Sequence, residues 1–306
     1  MTRLSNSLRI LLNSNPQLLF NSEVPFSLVS TKPTMLDSLV QSLVNDSMRK
    51  VMPIVLKQRT SGEELAITCL VSGNVEGDEE NISTKLLMYM SMLVPMFLHS
   101  LVSMKMQHVW RVVGRGRRTA NAKYSIGLGR QRKQLEKLRP PSVNELLLSN
   151  NGDHILEGCL TNLFVVCRKD VYGDYLKASQ RDNESTVSIE LQTAPVTDGV
   201  LPGVLRQVIL DICSRNKIPV REIAPSWSER EMWSEAFITN SLRLLQHVES
   251  IQAPSSWESL EAKTWRDVTW EEKQFEHAPG RITALIQKEI MEMASIEGYP
   301  VALFND

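Results

Sequence analysis

Three phrases in the second half of the chain combine residue types that could hold an aromatic cation carrying a phosphate. They are Leu156-Glu-Gly-Cys-Leu-Thr-Asn-Leu-Phe164, Leu201-Pro-Gly-Val-Leu-Arg206 and Glu235-Ala-Phe-Ile-Thr-Asn-Ser241. The first places Glu157 and Gly158 just ahead of an apolar run, Leu163-Phe-Val-Val166. A carboxylate there could keep a ring nitrogen protonated, and the glycine would let backbone approach the ring. The second sets a Pro-Gly turn at the mouth of a predicted helix. That geometry aims the amides of Gly203, Val204 and Leu205 at an anion, with the helix dipole helping. The third closes a strand in Thr239-Asn240-Ser241, small hydroxyl and amide residues. A surface glutamate or an ordinary Pro-Gly turn would explain each phrase alone. Their ordered combination is what carries the chemistry.

The combination resembles the class IV pyridoxal-phosphate (PLP) enzymes: branched-chain and D-amino-acid aminotransferases and aminodeoxychorismate lyase. The E-G-x-x-x-N-x-F phrase from Glu157 to Phe164 is the most recognisable local signature of that family. The resemblance implies an α/β (α+β) fold of two domains, a small N-terminal one over 1–120 and a larger cofactor-binding one over 121–306. It implies Glu157 against the pyridine nitrogen, Asn162 in the cofactor shell and Leu201 packed near the ring. The turn amides of Gly203, Val204 and Leu205 would hold the phosphate, with a hydroxyl from Ser241. Arg3, in an R-L-x-x-S phrase with Leu4 and Ser7, would grip the same phosphate. The chain departs at Leu205, where the family usually has threonine, so a hydroxyl contact is lost there. It departs again at Leu242 and Arg243, where the family prefers small residues. Arg243 could read a substrate carboxylate or be a surface arginine.

Such chemistry also needs a lysine that bonds the cofactor and then moves the substrate's α-proton. The family places it one helix and one strand upstream of the glutamate, which selects Lys123 in Ala122-Lys-Tyr-Ser125. Lys133 and Lys137 are the rivals, but they fall in a charged stretch where solvated lysines are expected. Leu135-Glu-Lys-Leu-Arg-Pro-Pro141 is similar to the segment that follows the lysine in plant D-amino-acid aminotransferase-like proteins. The implied activity is transfer of an amino group between an amino acid and a 2-oxo acid by a homodimer. The alternatives are a lyase that cleaves aminodeoxychorismate on the same fold, and an inactive binding or structural homologue. If Arg3 matches as stated, the family's opening hairpin would be absent.

The elements that must position these residues are legible in part. Apolar residues at helical spacing predict helices from Arg3 to about Leu12 and from Met35 to Val55, the second disturbed by Pro53. Glu64 to Val71, Glu145 to Ser149, Asn162 to Arg168 and Ala236 to Thr239 read as strands. Asn151-Gly152 reads as a hairpin turn, Gly203 to about Asn216 as a helix, and Ile218 to Glu222 as extended. Ser228 with Glu231 suggests a capping box for a short helix. Leu86 to Met104 carries no charge and five methionines. It admits three readings: a membrane helix, a buried soluble segment, or a stretch translated out of frame.

Bulk composition narrows little else. At 306 residues and 42% hydrophobic, the chain can bury a core in two domains. Its formal net charge of -1 gives no general pull towards nucleic acid or anionic membrane. The basic runs at Arg111 to Arg118 and Arg130 to Arg139 lack the aromatic interleaving of a nucleic-acid surface. The four cysteines show no metal or disulfide spacing, and no histidine joins them, so no metal is expected. Their pattern suits a reducing compartment, the cytoplasm, or a plastid if a segment precedes the chain.

Overall fold

The computed structural model describes residues 2–14, 19, 33–58, 64–73, 86–96, 104–110, 136–169, 188–256, 263–276 and 279–296. Lys123, Lys133 and the basic runs at 111–118 and 130–135 lie outside these residues. The described residues form two compact units, one over 2–96 and one over 104–296.

In the first unit, helices α1 (Thr2–Ser14) and α2 (Pro33–Gln58) pack through leucines and valines at helical spacing. Leu8 and Leu12 meet Leu36, Val40, Val44 and Met48 in one buried cluster, against which Val71 also packs. The helix does not stop at Pro53, which sits inside α2. The proline forgoes its own N–H bond and crowds the carbonyl four residues earlier, and the packing of the buried Met52 and Val55 beside it offsets that cost. Strands β1 (Glu64–Gly73) and β2 (Leu86–Met96) pair antiparallel. The uncharged methionine-rich stretch is therefore extended over most of its length, not a membrane helix. No helix among the described residues is long and apolar enough to cross a membrane.

The second unit is built on β3 (Met104–Trp110), β4 (Glu145–Ser149), β5 (Ile155–Gly158), β6 (Asn162–Lys169) and β7 (Ser188–Gln192). It continues with helix α3 (Val204–Arg215), β8 (Val220–Arg221), β9 (Trp233–Asn240), β10 (Leu244–Pro254), β11 (Trp270–Gln274) and helix α4 (Arg281–Ile296). Hydrogen bonding runs β10-β3-β4-β5-β6, and β9 pairs with both β6 and β10. That pairing closes six strands into a ring, with β7, β8 and β11 as extensions. The β10-β3 and β3-β4 pairs are parallel, and the other neighbours in the ring are antiparallel.

Strand alternation sends one set of side chains into the ring and the other outwards. Leu147, Ile155, Leu163, Val165, Ala236, Ile238, Val248 and Ile251 form the inner cluster. Phe164, Val166 and Phe237 face the opposite way and join Ile209 and Ile212 of α3 and Ile286 and Ile290 of α4. Phe164 and Phe237 stack with ring centroids 5.1 Å apart, tying β6 to β9 beneath the helices. None of the four cysteines forms a disulfide. Burial pushes the thiols of Cys167 and Cys213 up, to about 12 and about 11, so both serve as packing residues.

Two local expectations change in detail. Asn151-Gly152 does lie in the connection of the antiparallel β4–β5 hairpin, but only Gly152 has positive φ, 82°. Asn151 Oδ1 instead accepts from the N–H groups of Asp153 and His154, an Asx turn within a longer loop. Ser228 and Glu231 do not cap a helix. The short 3-10 segment Trp227–Met232 has Ser226 at its start without a side-chain cap of its own. Asp153, from the β4–β5 loop, accepts from the Ser228 N–H at 2.8 Å and from the Ser226 hydroxyl.

Candidate active site

Glu157 is the penultimate residue of β5 and Asn162 opens β6, and the two are directly paired across the ladder. The register continues on both sides: Leu148 opposes Glu157, Thr239 opposes Asn162, and Leu245 opposes Thr239. One row therefore crosses five strands as Leu148, Glu157, Asn162, Thr239, Leu245. It lies on the outer face, since Leu245 belongs with Phe164 and Phe237 in the cluster under the helices. Three polar side chains sit in the middle of that row. Glu157, Asn162 and Thr239 are 8%, 7% and 1% exposed, so each must find a partner or cost stability.

Two of them bind the Leu201-Pro202-Gly203 turn. Glu157 Oε2 accepts from the Leu201 N–H at 2.9 Å. Asn162 Nδ2 donates to the Leu201 carbonyl at 3.0 Å, and that carbonyl also accepts from the Gly203 N–H at 2.7 Å. The turn is thus clamped on both sides of Leu201, directly over the row. Gly203 is needed for this approach. A Cβ there would lie 2.1 Å from Asn162 Oδ1. Gly158 has a similar constraint, since its Cβ would lie 2.1 Å from Thr161 Oγ1 and 3.2 Å from Glu145 Cγ.

The turn delivers the chain into α3 with Gly203 in extended geometry and no side-chain cap on the helix. The amides of Val204 and Leu205 therefore open an uncapped, positively polarised helix end beside Glu157 and Asn162. Val204 is exposed, whereas the Leu205 side chain packs against the Phe164–Phe237 cluster. At Leu205 only the backbone can serve a ligand. Arg206 anchors the first turn from behind: it is 3% exposed, and its Nη2 donates to the Ala194 carbonyl at 3.0 Å and to Glu222 at 2.6 Å.

The other long helix of this unit makes an instructive contrast. Glu235 reaches from β9 to the start of α4 and accepts from the Ile282 and Thr283 N–H groups, at 3.1 and 2.8 Å, and from the Thr283 hydroxyl at 2.7 Å. A Cβ at Gly280 would meet the Glu235 carboxyl carbon at 2.1 Å. The α4 mouth is filled by the protein's own carboxylate, whereas the α3 mouth has no side-chain cap among the described residues. Glu235→Ala should destabilise the fold by about 1–2 kcal/mol, the usual worth of a helix cap. Urea unfolding that shifts by less than about 0.5 kcal/mol would remove this cap from the account.

Ser241 lies on the exposed Ser241–Arg243 loop between β9 and β10, directly after the Thr239 end of the row. Asn240 Oδ1 accepts from the Leu242 and Arg243 N–H groups, at 3.0 and 2.8 Å, and Leu244 takes a positive φ of 55° to re-enter the sheet. Arg243 is half-buried and faces a buried carboxylate. Its Nη1 lies 3.6 Å from Oε2 of Glu145, whose side chain is 4% exposed. Glu145 was not singled out from sequence, because nothing local distinguishes it from any polar residue opening a strand. Thr239 was read only as the end of its strand. Its hydroxyl is buried without a hydrogen-bond partner among the described residues.

The second unit therefore brings together Glu157, Asn162, Leu201, Gly203, Val204 and Leu205, with Ser241 at the end of the adjoining strand. Arg3 stands partly buried in α1 of the first unit. Lys123 lies outside the described residues.

Residues 133–251 match the family model described as amino-transferase class IV. The chain has the class IV aminotransferase fold. Among solved structures, it is similar to a PLP-bound aminotransferase from Brucella abortus, at 14% identity and a TM-score of 0.58, covering 96% of this chain and 81% of that one. It is similar to the branched-chain aminotransferase of Thermoproteus uzoniensis solved with norvaline, at 17% identity and a TM-score of 0.57, covering 99% and 80%. A Legionella pneumophila protein assigned as a 4-amino-4-deoxychorismate lyase matches at 17% identity and a TM-score of 0.56, covering 95% and 83%. No curated protein matches the chain by sequence. At these identities the structures establish the class IV fold, and the chemistry must be argued from this chain's own residues.

Proposed function

We propose that this chain is a PLP-dependent aminotransferase, moving an amino group between an amino acid and a 2-oxo acid. The observation that carries the reading is the clamp on Leu201. A nearly buried carboxylate and a nearly buried carboxamide, paired across two strands, fix one turn at the mouth of an uncapped helix. A cationic ring nitrogen and a phosphate need a carboxylate and an amide-lined anion site side by side, and these residues fit both. Gly203 leaves room for the turn, and no side-chain cap closes the helix end among the described residues.

In this reading Glu157 holds a proton on the ring nitrogen, with its orientation fixed by the Leu201 N–H. Leu201 and Asn162 shape the adjoining wall. The amides of Val204 and Leu205, with the Ser241 hydroxyl, hold the phosphate, while the Gly203 N–H, expected to join them, is spent on the Leu201 carbonyl. PLP supplies an electron sink that makes the α-proton of a bound amino acid acidic. Lys123 takes that proton and returns it, and Arg3 adds positive charge to the phosphate. These two residues enter from the sequence resemblance alone. Arg243 enters as the anchor of the Ser241 loop, because its guanidinium is already engaged by Glu145. The Leu135 to Pro141 phrase favours a plant D-amino-acid aminotransferase-like protein, and the family pattern favours a homodimer.

Product analysis tests the assignment. Purified protein with PLP, an amino acid and a 2-oxo acid should yield the exchanged pair of products, with L and D donors assayed separately. Release of pyruvate and 4-aminobenzoate from aminodeoxychorismate, without amino exchange, would assign the lyase reaction instead. Cofactor binding without either product would leave an inactive homologue.

A further inference from the structure

Glu145 is a buried carboxylate that the proposed reaction does not use. It is the first residue of β4, 4% exposed, and it shares a strand face with Leu147 of the inner cluster. From there it touches both halves of the site from behind. Its Cγ lies 3.2 Å from the Cβ position of Gly158, the residue immediately after Glu157. Its Oε2 lies 3.6 Å from Nη1 of Arg243, two residues beyond Ser241. The two loops it touches are also bridged at their tips, where Asn240 Nδ2 donates to the Leu160 carbonyl at 3.4 Å.

Charge in such a place has a definite consequence. A carboxylate this deeply buried loses most of its hydration, so a facing guanidinium is held more firmly than at a surface pair. Arg243 is one-third exposed at its side chain, so the pair links the buried Glu145 to a surface loop. The Arg243 backbone is already fixed by Asn240, so an arginine pulled inward constrains the whole Ser241–Arg243 loop. We infer that Glu145 is a positioning residue, which through Arg243 holds the Ser241 loop in the geometry that binds a ligand's phosphate. The inference rests on the cofactor reading above, and it assigns Glu145 no contact with the ligand.

The test compares PLP with pyridoxal, which lacks the phosphate, by absorbance titration of wild type, Glu145→Gln, Arg243→Gln and the double variant. A loop that spends only a tenth of its time in the binding geometry loses about tenfold in apparent affinity. Glu145→Gln should therefore weaken PLP binding about tenfold while pyridoxal affinity stays within about twofold. Arg243→Gln should reproduce that loss, and the double variant should be no worse than either, because both break one pair. If Glu145→Gln does not fold, Arg243→Gln carries the same phosphate-specific expectation, since the side chain it alters is partly in water. Unchanged PLP affinity in both single variants would overturn the inference. So would equal weakening of PLP and pyridoxal, the signature of general destabilisation, or additive losses in the double variant. A folded wild type that binds no PLP would sink the cofactor reading itself and this inference with it.

Discussion

Glu157→Gln is expected to slow turnover by about 100-fold or more, roughly 3 kcal/mol of barrier, while leaving the fold intact. The wild-type carboxylate does two separable things. It accepts from the Leu201 N–H at 2.9 Å, and in the proposed function it sets a negative charge beside the ring nitrogen. Glutamine keeps an acceptor for Leu201, so the turn stays clamped and cofactor affinity falls only modestly. It removes the charge, so nothing holds the ring proton that makes the α-proton acidic. The effect should therefore appear in kcat and not as a loss of folded protein. A solvated turn glutamate would give a stability change within about 0.5 kcal/mol and no kinetic change. A variant that turns over at the wild-type rate would remove Glu157 from the site.

Gly203→Ala should damage the site by a different route. Its Cβ would stand 2.1 Å from Asn162 Oδ1. Asn162 is 7% exposed and is tied to the Leu201 carbonyl, so it cannot swing away without releasing the turn. We expect a loss of about 1–3 kcal/mol in urea unfolding, the range for overpacking a filled site. With the turn displaced, the α3 amides no longer converge, and PLP affinity should fall by about tenfold or more. The companion Asn162→Ala removes the obstructing atom, so the double variant should be less damaged than the two single losses combined. Additive losses would show that Gly203 and Asn162 do not act through the contact described.

Local pattern made some of this visible in the sequence and hid the rest. Glu145 to Ser149 reads as a strand because a short apolar run is bounded by turn residues, and its observed limits agree. The helix from Gly203 to Asn216 was also legible, since both of its ends carry turn-forming residues, and α3 spans Val204–Arg215. Closure of the ring was not legible. It depends on β3 lying parallel to β10, a pairing between Met104 and Val248 that no nearby residue announces. The cap on α4 is equally non-local, because Glu235 serves amides 47 and 48 residues away. Asp153 displaced the expected Ser228 cap for the same reason. The row Glu157, Asn162, Thr239 was half legible. Its members sit in phrases that could be read singly, but only strand register sets them side by side.

In the proposed function this chain holds PLP through Lys123, with Glu157 and the mouth of α3 forming the opposite wall. Borohydride reduction of purified protein saturated with PLP, followed by peptide mapping, tests it most directly. The expected result is a visible absorbance band that the reduction removes, and a single pyridoxyl label on the peptide containing Lys123. Folded protein that shows neither band nor label would contradict it.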